Sequence, residues 1–169
     1  KYNCPIQNWP EEINITKKTI DVDLNLETNF GPESIKNNID SQPEFVWMTA
    51  ESLGDNDPAL NYYSNLPAVF IFDKPLLNYL QLSTKRIIFL LDCLRELSNK
   101  RSTQVYLDDP IEYLKNKNFA STFAAVPKYK KITRVNIPTT EFPSVRLVKP
   151  INFYPSSYSS WKKRIELNI

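Results

Sequence analysis

From Glu44 onward, apolar runs of strand length alternate with segments that carry helix punctuation, and few folds accept such a chain. The runs are Phe45-Val46-Trp47-Met48-Thr49, Leu66-Pro67-Ala68-Val69-Phe70-Ile71-Phe72, Thr103-Gln104-Val105-Tyr106-Leu107, Phe119 to Ala125, and Ser144-Val145-Arg146-Leu147-Val148. Between them, Asp57-Pro58 pairs an N-cap residue with Pro at the first helical position. Ser83 to about Ser98 reads as the longest helix, with Ile87, Leu90, Leu91, Leu94 and Leu97 on one stripe. Pro110 to Lys115 reads as a short helix, Lys128 to Val135 as a basic one, and Ser156 to about Glu166 as an amphipathic one with Tyr158, Trp161 and Ile165. Strands joined through helices need crossovers and run parallel. The expected fold is α/β, a doubly wound, Rossmann-like, five-stranded parallel sheet.

Residues 1–42 have a different texture and are read as an N-terminal extension to a domain of residues 43–169. Thr19 to Glu27 alternates without a break, placing Ile20, Val22, Leu24 and Leu26 on one face of a strand near 19–27. Pro32 can open a short helix near 32–40 that carries Ile35 and Ile39 on one side. A strand and a short helix cannot bury themselves. They decorate the following domain or add to another protein.

Composition removes several chemistries. The 169 residues contain no His, which excludes His-based nucleophile activation and imidazole metal ligands. Only Gly31 and Gly54 are present, too few for a Walker A loop or a GxGxxG turn. Cys4 and Cys93 lie too far apart for a CxxC site, and Cys93 falls on the apolar side of the long helix. The charge of +2 lacks the dense basic face of a nucleic-acid binder, so nucleic acid is not an expected partner. No apolar run reaches the length of a membrane span. A cytoplasmic location, or one peripheral to a membrane complex, is expected. The chain opens on Lys1 rather than Met, as a processed or trimmed product would.

Four segments then follow one another in a familiar order: Val46-Trp47, Asn56-Asp57-Pro58-Ala59-Leu60, Pro67 to Asp73, and Ser83 to Leu91. Together they resemble the N-terminal α/β domain of the DNA photolyase/cryptochrome family, with Trp47 to Leu60 spaced without a gap. The likeness covers about Glu44 to Phe153. Tyr158-Ser159-Ser160-Trp161-Lys162-Lys163 is similar to the end of short stand-alone photolyase-like proteins of cyanobacteria. The resemblance implies the sheet order 3-2-1-4-5 and a photosynthetic source. It also implies no catalysis by this domain alone, because the family's flavin and lesion contacts lie in a separate helical domain. Two motifs depart from the family: Thr49-Ala50-Glu51-Ser52-Leu53 replaces an arginine-rich segment, and Asn56-Asp57 inverts the usual Asp-Asn.

In an open parallel sheet, ligands sit beyond the carboxyl ends of the strands where the order reverses. The family order puts that crevice between the first and fourth strands. Thr49, Glu51, Ser52, Asp55 and Asn56 then face Thr122, Ala124, Lys128 and Tyr129 across it. A ring stacked on Tyr129 and a phosphate or carboxylate met by Lys128 would suit a pterin- or flavin-type chromophore. The other reading makes Glu51 and Asp55 solvated loop acids and fills the crevice with side chains. Asp108-Asp109 before Pro110 is read as a helix cap rather than a metal site, and Asp73-Lys74-Pro75 as a turn.

Three functions follow as expectations. One is a non-catalytic assembly subunit whose protein partner meets the N-terminal extension and the Trp161 helix. Another is a small chromophore- or nucleotide-binding protein. The third is the light-harvesting half of a split photolyase. Trp161-Lys162-Lys163-Arg164 also has the composition of a peripheral membrane contact, and Lys128-Tyr129-Lys130-Lys131 that of a phosphate contact.

Overall fold

The strand-length runs pair as a mostly parallel sheet in the computed structural model, which describes residues 31–80, 82–146, 148, 157–163 and 165. Its strands are β1 (Lys36–Asn37), β2 (Phe45–Met48), β3 (Ala68–Asp73), β4 (Thr103–Asp108), β5 (Phe119–Thr122) and β6 (Thr140–Phe142). Its helices are α1 (Pro58–Tyr62), α2 (Lys74–Leu80), α3 (Thr84–Ser98), α4 (Pro110–Tyr113), α5 (Pro127–Val135) and α6 (Tyr158–Lys162), with a 3-10 turn at Ala50–Ser52. The sheet order is β1-β6-β5-β2-β3-β4. All neighbours are parallel except β1, which lies antiparallel to β6.

The central strand explains the apolar runs. Every residue of β2 is buried, because helices cover both faces of the sheet and strands flank both edges of β2. Phe45, Trp47, Val69, Ile71 and Phe119 meet Tyr129 and Ile132 of α5 on one face. Val46, Met48, Phe70 and Ala120 meet Leu60 of α1 and Leu94 and Leu97 of α3 on the other. Helix starts follow their caps. Asp57 Oδ1 accepts from Leu60 N–H at 2.9 Å, and Asp109 Oδ1 from Ile111 N–H at 2.9 Å, each just before a Pro. Gly31 is required where it stands. Its φ is +69°, and a Cβ there would come within 2.3 Å of the Phe123 ring.

The sheet differs from the expected one in four places. Among the described residues it has six strands rather than five. The last parallel strand is Thr140–Phe142, and Ser144, Val145 and Arg146 carry no strand. Pro143, lacking an N–H, follows the ladder directly, whereas Thr139 N–H reaches Phe119 O at 2.8 Å and Phe123 N–H reaches Phe142 O at 2.8 Å. The expected helix near 32–40 is absent. Lys36–Asn37 instead pairs with β6, Asn38 N–H bonding Thr139 O at 2.9 Å, and Ile35 and Ile39 are exposed. A helix of about nine residues has little stability of its own, so edge pairing prevails. Asp73-Lys74-Pro75 opens α2 rather than a turn, with Asp73 Oδ1 accepting from Leu76 N–H at 2.9 Å. The strand expected near 19–27 lies outside the described residues. The final helix is described only over Tyr158–Lys162.

Candidate functional site

A cavity of about 420 Å³ opens beyond the carboxyl ends of β2 and β3. That size suits a ring-containing small molecule. Its floor is Trp47, Met48, Phe70, Ile71 and Phe72, at the ends of two adjacent strands. Leu76, Leu77 and Leu80 of α2 roof one side, Arg86 and Leu90 of α3 another, and Val126 to Tyr129 at the start of α5 the third. Thr49, Ala50 and Glu51 form the rim after β2.

Local hydrogen bonds set the shape of the rim. Thr49 N–H donates to Ser52 Oγ at 3.0 Å and Ser52 N–H to Thr49 O at 3.1 Å, closing the 3-10 turn on itself. Ser52 therefore shapes the rim without lining the cavity.

The lining is apolar apart from a small charged set. Lys128 Nζ stands 2.8 Å from Asp73 Oδ2, with 28% of the lysine side chain and 10% of the aspartate side chain exposed. The other carboxylate oxygen of Asp73 is held by the first turn of α2. The pair therefore sets an ammonium against a buried carboxylate in an apolar wall, where their attraction is stronger than in water. Glu51 and Arg86 add one charge of each sign.

Of the seven residues expected to bind a ligand, Thr49, Glu51, Lys128 and Tyr129 line this cavity, and Ser52, Asn56 and Thr122 do not. Thr122 Oγ1 is spent on the Ala59 N–H at 3.2 Å, inside the core. Asn56 and Asp55 line a separate depression beside Cys93 and Glu96, and Asp55 is ion-paired with Lys100. Ala124 is buried in the core beside Tyr129.

Tyr129 is not a free stacking platform. Its ring is 2% exposed and already lies parallel to Trp47, centroids 5.5 Å apart, with Phe123 edge-on at 5.6 Å. Its hydroxyl donates to Glu141 Oε1 at 2.8 Å and lies 2.9 Å from Ser121 Oγ. Burial, then the Glu141 carboxylate, hold that hydroxyl well above the ordinary tyrosine range. These aromatic rings fill the space expected between β2 and β5. The opening lies instead toward β3, the side sequence reasoning passed over.

Asp73 and the roof of α2 were missed because Asp-Lys-Pro suggests a turn. The signal for α2 was the helical spacing of Leu76, Leu77 and Leu80. Among the described residues, no three acidic or sulfur side chains converge as metal ligands, and no helix is long and apolar enough to cross a membrane. The chain matches no family model, no curated protein and no solved structure.

Proposed function

We propose that this chain is a non-catalytic small-molecule-binding module, a photolyase-like α/β domain that holds a heterocycle over the ends of β2 and β3. The observation that carries the reading is the Lys128–Asp73 pair set in an apolar, ring-sized cavity. A carboxylate beside an ammonium complements a ring edge bearing both an N–H donor and a carbonyl acceptor, and Leu76, Leu77 and Leu80 supply apolar contact for the ring faces. Pterins and flavins carry such an edge. The resemblance of Trp47, the Asn56-to-Leu60 segment and Pro67 to Asp73 to photolyase N-terminal domains supports the same class.

Native purification with absorption spectroscopy and mass spectrometry of retained small molecules tests the reading, alongside calorimetric titration with a folate and with flavin mononucleotide. A retained chromophore, or saturable binding weakened about tenfold by Lys128→Ala, supports it. A colourless protein that binds neither probe, and whose titrations are unchanged by a cavity-filling Leu77→Phe, counts against it.

A second reading, an assembly subunit peripheral to a membrane or photosynthetic complex, draws support from α6. Tyr158 and Trp161 pair at 5.4 Å, Tyr158 is exposed, and Lys162 and Lys163 follow. Co-purification of a complex that is lost on Trp161→Ala would favour it.

A further inference from the structure

The floor of the cavity is better covered than its volume suggests. Trp47 and Phe70 line it, yet each is only 4% exposed. A ring cannot lie against them unless part of the wall first gives way. The wall least held is α2. Among the described residues, it is the one helix of the five between Pro58 and Val135 that buries none of its side chains. The other four, α1, α3, α4 and α5, bury Leu60, Leu94, Pro110 and Tyr129 respectively. Leu76, Leu77 and Leu80 of α2 border the cavity instead. A seven-residue helix has little stability of its own, and few buried apolar contacts put a segment at the low end of local stability.

One end of α2 is fastened and the other is not. At its start, Asp73 Oδ1 accepts from the Leu76 N–H at 2.9 Å, Asp73 Oδ2 meets Lys128 Nζ at 2.8 Å, and Pro75 fixes the backbone of the first turn. Exposure then rises along the helix. Leu76 and Leu77 are half-buried, whereas Leu80 is 48% and Tyr79 84% exposed. We propose that α2 is a lid that pivots on Asp73, its far end at Tyr79 and Leu80 lifting to admit a ligand. It closes through Leu76, Leu77 and Leu80. The ion pair with Lys128 fastens the pivot to α5. An apolar ring gives the three leucines the buried contact they lack, so a bound ligand and a closed lid favour each other. The inference rests on the reading of this cavity as a binding site, though not on the chemistry of the ligand.

Two measurements on the full chain test it without any ligand. In amide hydrogen exchange over a urea series, the α2 amides should exchange at least about tenfold faster than those of Leu90 to Leu97 in α3, through an opening indifferent to low urea. Trp9→Phe with Trp161→Phe leaves Trp47 as the sole indole, and acrylamide quenching of its fluorescence then reports access to the floor. Asp73→Ala removes the cap and the fastening together. It should speed α2 exchange and raise quenching by about fivefold, the effect of a lost N-cap, with α3 exchange unchanged. Leu77→Phe, which fills the cavity from the roof, should lower both. Should Asp73→Ala not fold, Lys128→Met removes the fastening alone and should act in the same direction. Exchange of α2 only through global unfolding overturns the proposal. So does Trp47 quenching that ignores these variants, or that changes only in step with α3 exchange. A failed lid and a failed ligand reading are told apart, because the second shows only in the ligand titrations.

Discussion

Lys128, in the first turn of α5, closes a 2.8 Å ion pair with Asp73, the last residue of β3, and so ties the two sides of the cavity together. Asparagine at position 73 can still accept from Leu76 N–H but carries no charge for Lys128. Asp73→Asn should therefore cost about 1–2 kcal/mol in urea unfolding, less than a fully buried pair because Lys128 is partly solvated. Lys128→Met should cost no less, because it leaves the better buried partner charged. Equal stability of Asp73→Asn and the parent would show that the pair contributes nothing.

Tyr129→Phe removes a buried proton shared with Glu141 and Ser121 and should destabilise by about 1–2 kcal/mol at neutral pH. The folded protein keeps the Tyr129 proton where the unfolded chain, titrating near about pH 10, releases it. Its stabilising contribution is thus complete below that value and declines as pH rises toward the folded value. Unfolding free energies at about pH 9 and about pH 11 should fall more steeply for the parent than for Tyr129→Phe. Parallel slopes would mean that Tyr129 ionises normally.

Burial raises the Asp57 carboxyl above its ordinary range, against the opposing effects of the Leu60 N–H, the Thr122 hydroxyl, the Ala59 N–H and Arg101. A raised carboxyl favours folding most in acid, and that contribution is lost as pH rises through the folded value. At neutral pH, Asp57→Asn keeps the helix cap and removes the buried charge. It should match the parent or exceed it by up to about 1 kcal/mol, with no advantage in acid. Asp57→Ala should lose about 1 kcal/mol with the cap.

Arg101 fans its guanidinium over the carbonyls of Leu60, Tyr63 and Leu66, clasping the end of α1 to the start of β3. Arg101→Met should cost about 2–3 kcal/mol. Arg101→Lys should restore little, because one ammonium cannot serve three divergent carbonyls. Recovery of the parent midpoint by lysine would reduce the clasp to a charge effect.

Local chemistry made the helix starts legible. Asp57-Pro58 and Asp109-Pro110 begin helices because an Asp cap and a proline act over a few residues. Apolar runs likewise marked β2 and β3. Phe119 to Ala125 was read too long: the strand ends at Thr122, and the Phe123 ring packs against Tyr129 and the Gly31 backbone. Half of the candidate site was legible as well. Glu51 and Lys128 follow from placing loops at strand ends, whereas Asp73 needed knowledge that its neighbours continue as a helix.

The sequence by itself determined the α/β class, because periodicity and caps are properties of neighbouring residues. Tertiary structure alone decided that Lys36–Asn37 joins an edge, that Thr140–Phe142 rather than 144–148 completes the parallel set, and that the cavity opens toward β3. Each depends on competition among distant groups for the same space or hydrogen bond. Trp47 and Tyr129, 82 positions apart, fill the expected crevice because their stacked rings bury more apolar surface there than a solvent-filled gap would.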